Sequence, residues 1–298
     1  MPIVCPVIPS AELVASIHSA QNRDGGWGYH PGSSWTEPTA FALLALSAVN
    51  SAGDNFAQGM RWLRNQQRPD GGWAPHPSVA QTTWVTAPAV LALLEGNDTR
   101  PIGPALAWLN RQKGEESSLV DRLRRFLLGA RLEAGEGTEG WPWLPGTAGW
   151  VMPTSLTILA LEKAAMRGEA GDGAGRIRQG RDFLMARICR DGGWNYGGPS
   201  ALGFSAESYP DTTGMALMAL HGAESPQVQT ALSKAEQQLP RCHSAQTLCW
   251  LSLGLAAHGR PTATGNDCPF QPETLLDRAL LLLARAPEAG GKRVWGAV

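Results

Sequence analysis

The chain has 298 residues, 43% hydrophobic and 17% charged, with a formal net charge of −1. This supports a sizeable core and excludes disorder, and without a Lys/Arg run the electrostatic footprint of a nucleic-acid binder is missing. Five widely spaced cysteines (Cys5, Cys189, Cys242, Cys249 and Cys268) argue for a reducing compartment over a disulfide framework. Residues 1–6 show no signal peptide, and no apolar run approaches the ~18 residues that span a bilayer. A soluble, cytoplasmic protein is expected, with peripheral membrane contact left open.

Helical periodicity dominates, and strand alternation is nearly absent. Residues 11–20 predict a helix broken at Gly25-Gly26. Residues 37–49 predict a second, almost wholly apolar and therefore buried helix. The next, 56–67, is amphipathic, with Met60 and Leu63 on one side and Arg61, Arg64 and Asn65 on the other. An apolar helix at 85–94 and an amphipathic one at 102–113, introduced by Pro101, follow. In the irregular middle, Gly114-Glu115-Glu116-Ser117 replaces a turn and 119–133 predicts another amphipathic helix. Beyond it lie apolar helices at 151–165, 213–221 and 245–257. Amphipathic helices lie at 176–188, 228–239 and 272–286.

One phrase recurs through this alternation: Asp24-Gly25-Gly26-Trp27, Asp70-Gly71-Gly72-Trp73 and Asp191-Gly192-Gly193-Trp194, with a worn copy at Glu139-Gly140-Trp141. Each is followed by an Ala/Leu-rich helix that opens near a threonine: Thr39, Thr86, Thr154 or Thr213. A unit of roughly 45–60 residues repeated in this way cannot bury its apolar helix alone. About six helix pairs, with the apolar helices as an inner barrel and the amphipathic ones as an outer wall, would close on themselves. The expected fold is therefore all-α: one α/α toroid domain over residues 1–298. The 35 glycines and 22 prolines suit its frequent helix stops.

Trp62-Leu63, Gln67, Gly71 and Trp73 resemble the glutamine–tryptophan repeat of squalene–hopene and oxidosqualene cyclases. Protein prenyltransferase β subunits share a related repeat and the same toroid. The resemblance covers nearly the whole chain and speaks to the fold more than to the reaction, because the repeat residues have structural work of their own. Asp-Gly-Gly makes a turn, Gln67 can satisfy backbone groups at a neighbouring helix end, and the tryptophans can stack over that contact.

In such a toroid the residues just before each inner helix face the cavity. Here they are Glu37, Trp84, Met152 and Asp211, with Trp35, Trp150 and Tyr209 close by. An apolar cavity ringed by aromatic faces suits a hydrophobic substrate and stabilises a carbocation through the ring quadrupole. The competing reading is that these rings are ordinary core.

Tyr209-Pro210-Asp211-Thr212-Thr213-Gly214 aligns with the Asp-x-Asp-Asp-Thr-Ala motif of class II terpene cyclases. The resemblance implies that Asp211, the counterpart of the middle acid, protonates the substrate. Tyr209 replaces the first acid of that motif and Thr212 the third. Asp211 as a plain helix cap remains the alternative, and Glu37 is the same slot's second candidate acid. The resemblance implies a proton-initiated isomerase acting on a polyprenoid or squalene-like molecule, without a cofactor; a homodimer or partner subunit could complete the site.

Two further readings stay open. Cys189, Asp191, Cys242 and His243 could hold zinc, as in the prenyltransferases, if the ring brings them together. A non-catalytic isoprenoid-binding or scaffold protein is the other. Arg122, Arg124 and Arg125 read as a solvated face more than as a diphosphate grip.

Overall fold

The computed structural model describes residues 8–96, 99–115, 138–169, 173–198, 200–201, 204–260, 262, 270–287, 291–292 and 294–295. The helix predicted at 119–133, with Arg122, Arg124 and Arg125, lies outside these residues, as do Cys5 and Cys268. The described helices are α1 (Ser10–Ser19), α2 (Thr36–Ala48), α3 (Asp54–Asn65), α4 (Thr86–Leu93), α5 (Ile102–Arg111), α6 (Val151–Met166), α7 (Ala174–Ala186), α8 (Pro210–Ala219), α9 (Pro226–Gln238), α10 (Ala245–Ala257) and α11 (Leu275–Arg285). A two-residue antiparallel pair, Ser200–Ala201 with Phe204–Ser205, sits in the loop before α8. Among the described residues, no helix is long and apolar enough to cross a membrane.

The architecture is an all-α toroid. Helices α2, α4, α6, α8, α10 and α11 each pack on the next, and α11 closes the ring on α2. Outside them, α3 packs on α2 and α4, α5 on α4, α7 on α6, α9 on α8 and α10, and α1 on α11. The inner helices are apolar on every side because every side is covered. In α2, Thr36 and all residues from Pro38 to Ala48 are buried. Where α8 meets α10 the backbones touch: a Cβ on Gly214 would stand 2.2 Å from the Trp250 carbonyl oxygen.

One prediction is corrected here. The stretch 272–286 reads as an outer, amphipathic helix, yet α11 belongs to the inner ring. Its polar residues sit at its two ends. Thr274 and Asp277 form a capping box, and Arg285 donates to the Ile8 carbonyl at 2.7 Å. The apolar stretch between them is buried throughout. The outer position falls to α1.

The repeated phrase is a clip between neighbouring helices. The backbone N–H groups of Trp27, Trp73, Trp141 and Trp194 donate to the hydroxyls of Thr39, Thr86, Thr154 and Thr213 at 2.8–3.0 Å. Their indole N–H groups donate to the carbonyls of Ile17, Leu63, Leu109 and Leu184 at 2.6–2.7 Å. These carbonyls belong to α1, α3, α5 and α7, so each tryptophan ties an outer helix to the start of an inner one. Gln67 Nε2 joins the Gly71 and Pro101 carbonyls at 2.8 and 2.7 Å, and Gln21 does the same for Gly25 and Asn55. The turn needs glycine at Gly71, whose φ is +99° and whose missing Cβ would lie 2.4 Å from the Pro104 oxygen.

At the C-terminal end of the inner helices, Val294 and Trp295 enter the barrel. Lys163 of α6 donates to the carbonyls of Leu91 (2.8 Å) and Val294 (2.6 Å). It also pairs with Glu95 at 2.7 Å, both side chains being 4% exposed. The other end of the barrel is open.

Candidate functional site

The open end holds a cavity of about 360 Å³ at the N-termini of the inner helices. Its wall comes from Glu37 and Phe41 of α2, Met152 of α6, Asp211 and Met215 of α8, and Tyr196 of the loop before α8. Ser244, Gln246, Thr247 and Trp250 at and in α10, with Leu276 and Leu280 of α11, complete it. Its floor carries two aromatic rings, Phe41 and Trp250, 5.8 Å apart centroid to centroid, and Trp295 packs behind them at 6.3 and 5.9 Å. Such rings favour a cation over their faces.

Both candidate carboxylates reach this cavity, and each is held by a tyrosine. Tyr196 donates its hydroxyl to Asp211 Oδ2 at 2.6 Å, and Tyr29 donates its hydroxyl to Glu37 Oε2. Burial raises the Glu37 carboxyl above its ordinary value, and the Tyr29 hydrogen bond only partly offsets this. Burial also raises the Tyr196 phenol, as do its hydrogen bond to Asp211 and that group's charge. Cys242 is pushed up to about 11 by burial, with the Asp211 charge adding to it.

Asp211 is not the residue from which α8 starts. The helix opens at Pro210 with Tyr209 at its N-cap, and Asp211 lies in the first turn, where Oδ1 accepts from the Thr212 N–H at 2.9 Å. Thr212 is fully buried and donates to the Trp194 carbonyl at 2.7 Å, so it serves the repeat clip and does not line the cavity. Met152 does line it.

The other predicted aromatic residues, Trp35, Trp84, Trp150 and Tyr209, do not line the cavity, because their rings are engaged with neighbours or lie toward solvent. Trp35 stacks between Tyr29 (5.4 Å) and His76 (4.8 Å). Trp84 meets Trp143 edge to face at 4.7 Å. Trp150 caps α6. Tyr209, 51% exposed, lies 5.4 Å from Tyr196.

The proposed zinc set does not assemble. Asp191 is bound by Lys234 at 2.9 Å and by the Ser208 hydroxyl at 2.8 Å, and the Cys242 thiol turns to the Gln238 carbonyl. Among the described residues no three His, Cys, Asp or Glu side chains form a group that could hold a metal.

The two tyrosines escape a reading of sequence motifs, although a signal for them exists. Each stands two residues after a repeat tryptophan, where the other two units carry Pro75 and Trp143. Trp250 and Leu280 escape it too, because they lie inside continuous apolar stretches of their helices, where no pattern marks one residue as cavity-facing.

No family model and no curated protein matches the chain. Solved structures do. A variant of the type II terpene cyclase MstE from Scytonema, in complex with merosterolic acid A, is 15% identical over 93% of this chain and 96% of its own, with a TM-score of 0.55. The ent-copalyl diphosphate synthase from Streptomyces platensis is 17% identical over 84% of this chain and 50% of its own, with a TM-score of 0.53. The family 8 glycosyl hydrolase Cel10 from Klebsiella pneumoniae is 16% identical over 93% and 99%, with a TM-score of 0.52. At these identities the likeness establishes a toroid like that of the terpene cyclases.

Proposed function

We propose that the chain is a terpene-cyclase-like isomerase that protonates a short, uncharged isoprenoid and closes a ring in the aromatic-floored cavity. One observation carries this reading: two carboxylates, each held by a tyrosine, converge on one cavity whose floor is built of aromatic and aliphatic side chains. Protonating an alkene needs a carboxylic acid at the edge of an apolar space, and the cation formed needs faces to rest on. The cavity offers the carboxyls of Glu37 and Asp211 and the ring faces of Phe41 and Trp250. The likeness to type II terpene cyclases lends further support.

The lining argues for the substrate's class. Among the described residues it holds two carboxylates and no lysine or arginine, so nothing neutralises a diphosphate. A space of about 360 Å³ stands at the small end of ligand pockets, roughly 300–1,000 Å³, and favours a short isoprenoid over one of squalene's length. The bound substrate of one MstE variant, geranylgeranyl dihydroxybenzoate, is likewise an isoprenoid without a diphosphate. Because one chain's helices supply both acids, the reading needs no second subunit.

A second reading comes from Cel10 and the exposed tyrosines at the cavity mouth: a paired-carboxylate hydrolase of a sugar chain. One panel separates the two. Purified protein is incubated with neutral terpene alcohols and hydrocarbons, squalene, geranylgeranyl diphosphate and a cellulose oligosaccharide. The expected product is an isomer of unchanged mass from the short neutral isoprenoids alone. Reducing ends from the oligosaccharide, with every isoprenoid intact, would replace this reading with the second.

A further inference from the structure

Two of the four repeat units place an acid at one register, and their surroundings differ. Glu37-Pro38-Thr39 and Asp211-Thr212-Thr213 align through the threonines whose hydroxyls accept from Trp27 N and Trp194 N. At the acid register the other two units carry Trp84 and Met152. The difference between the two acids lies in the residue that follows. Thr212 N–H donates to Asp211 Oδ1 at 2.9 Å, so this carboxylate has a backbone donor as well as the Tyr196 hydroxyl. Both of its carboxylate oxygens are thus engaged as acceptors. Pro38 stands at the matching position and has no N–H to give. Among the described residues, Glu37 receives a donor from Tyr29 only.

We infer that the two pairs divide the proton's path, Glu37 being the acid that delivers a proton to the substrate and Asp211 the carboxylate that removes one after ring closure. This rests on the isomerase reading, and it reverses the role that the motif resemblance gives to Asp211. Burial, which holds the Glu37 carboxyl above its ordinary value, agrees with the assignment. Among the described residues, the titratable groups facing the cavity are Glu37, Asp211 and Tyr196, with Tyr29 bonded to Glu37 and the Cys242 thiol feeling the Asp211 charge.

The step balances. The Glu37 O–H bond breaks as the substrate's π pair forms a C–H bond, leaving a tertiary cation and a Glu37 carboxylate. A second π bond attacks that cation, and the ring closes. A C–H bond beside the new cation then breaks. Its electron pair becomes the product's alkene, and its proton goes to Asp211. Water at the mouth, where Tyr29 is 40% and Tyr196 41% exposed, carries the proton back to Glu37. The product is an isomer of the substrate.

Difference infrared spectroscopy on substrate-free protein tests the assignment without turnover. A protonated-carboxyl band at neutral pH is expected in wild type and Asp211→Asn, and its loss is expected in Glu37→Gln. A band that is missing in wild type, or lost in Asp211→Asn instead, overturns the inference. Product analysis adds the second arm. Glu37→Gln should lose at least ~100-fold in substrate consumption, while Asp211→Asn should still consume substrate and release a shifted product set richer in water-quenched alcohol. Consumption lost in Asp211→Asn and kept in Glu37→Gln would reverse the two roles and leave the isomerase reading standing. An intact infrared assignment with no isoprenoid consumed by wild type would end the isomerase reading and, with it, the two catalytic roles.

Discussion

At the scale of single residues, the site is set by what each carboxylate has within reach of its oxygens. Glu37 and Asp211 were legible from the repeat register, since the residue two before the clip threonine lines the cavity in three of the four units, Trp84 being the exception. Their tyrosines were not, because the loops that return Tyr29 and Tyr196 to the acids have no pattern of their own. Burial raises the folded-state pKa of Glu37 above its ordinary 4.5. Above that pH the unfolded chain ionises the carboxyl while the folded chain retains the proton. Folding stability therefore falls as pH rises through the window between the two values. Glu37→Gln removes this loss. Thermal melts should show the variant gaining on wild type as pH rises from acid to neutral, and a pH-independent difference would contradict a raised Glu37.

At the scale of elements, the inner helices are held by their starts. The Trp–Thr clip satisfies a backbone N–H that no helix could reach, and it does so at the same place in four units. Thr86→Val keeps the volume and removes the acceptor. It leaves the buried Trp73 N–H without a partner, at a cost of about 1–3 kcal/mol. Chemical denaturation should read that loss at constant m-value, and an unchanged midpoint would show the clip to be passive. The repeat was plain in the sequence because turn glycines and tryptophans tolerate few substitutes at such a joint. The position of α11 was not plain. Its pattern is polar at the ends and apolar between, and periodicity alone does not distinguish a capped inner helix from an outer one. Contact with α2, far away in sequence, decides it.

At the scale of the whole molecule, the barrel is closed at one end and open at the other. The closed end is locked by Lys163, which bridges α6, Glu95 and the Val294 carbonyl across a buried ion pair. Lys163→Met removes the nearest cation from the Glu95 carboxylate, whose side chain is 4% exposed, and leaves it the Ser47 hydroxyl with Arg167 and Lys292 at 3.9 Å. The expected cost is about 3–5 kcal/mol, nearly independent of salt because the pair is buried. A loss that salt abolishes would place the pair at the surface. On the proposed reading the open end carries the chemistry, and the protonation step has a direct signature. Wild-type protein in deuterium oxide should convert a short neutral isoprenoid to a cyclic isomer carrying one deuterium at the carbon that received the proton. An isomer free of deuterium, or no isomer from any isoprenoid, would contradict proton-initiated cyclisation.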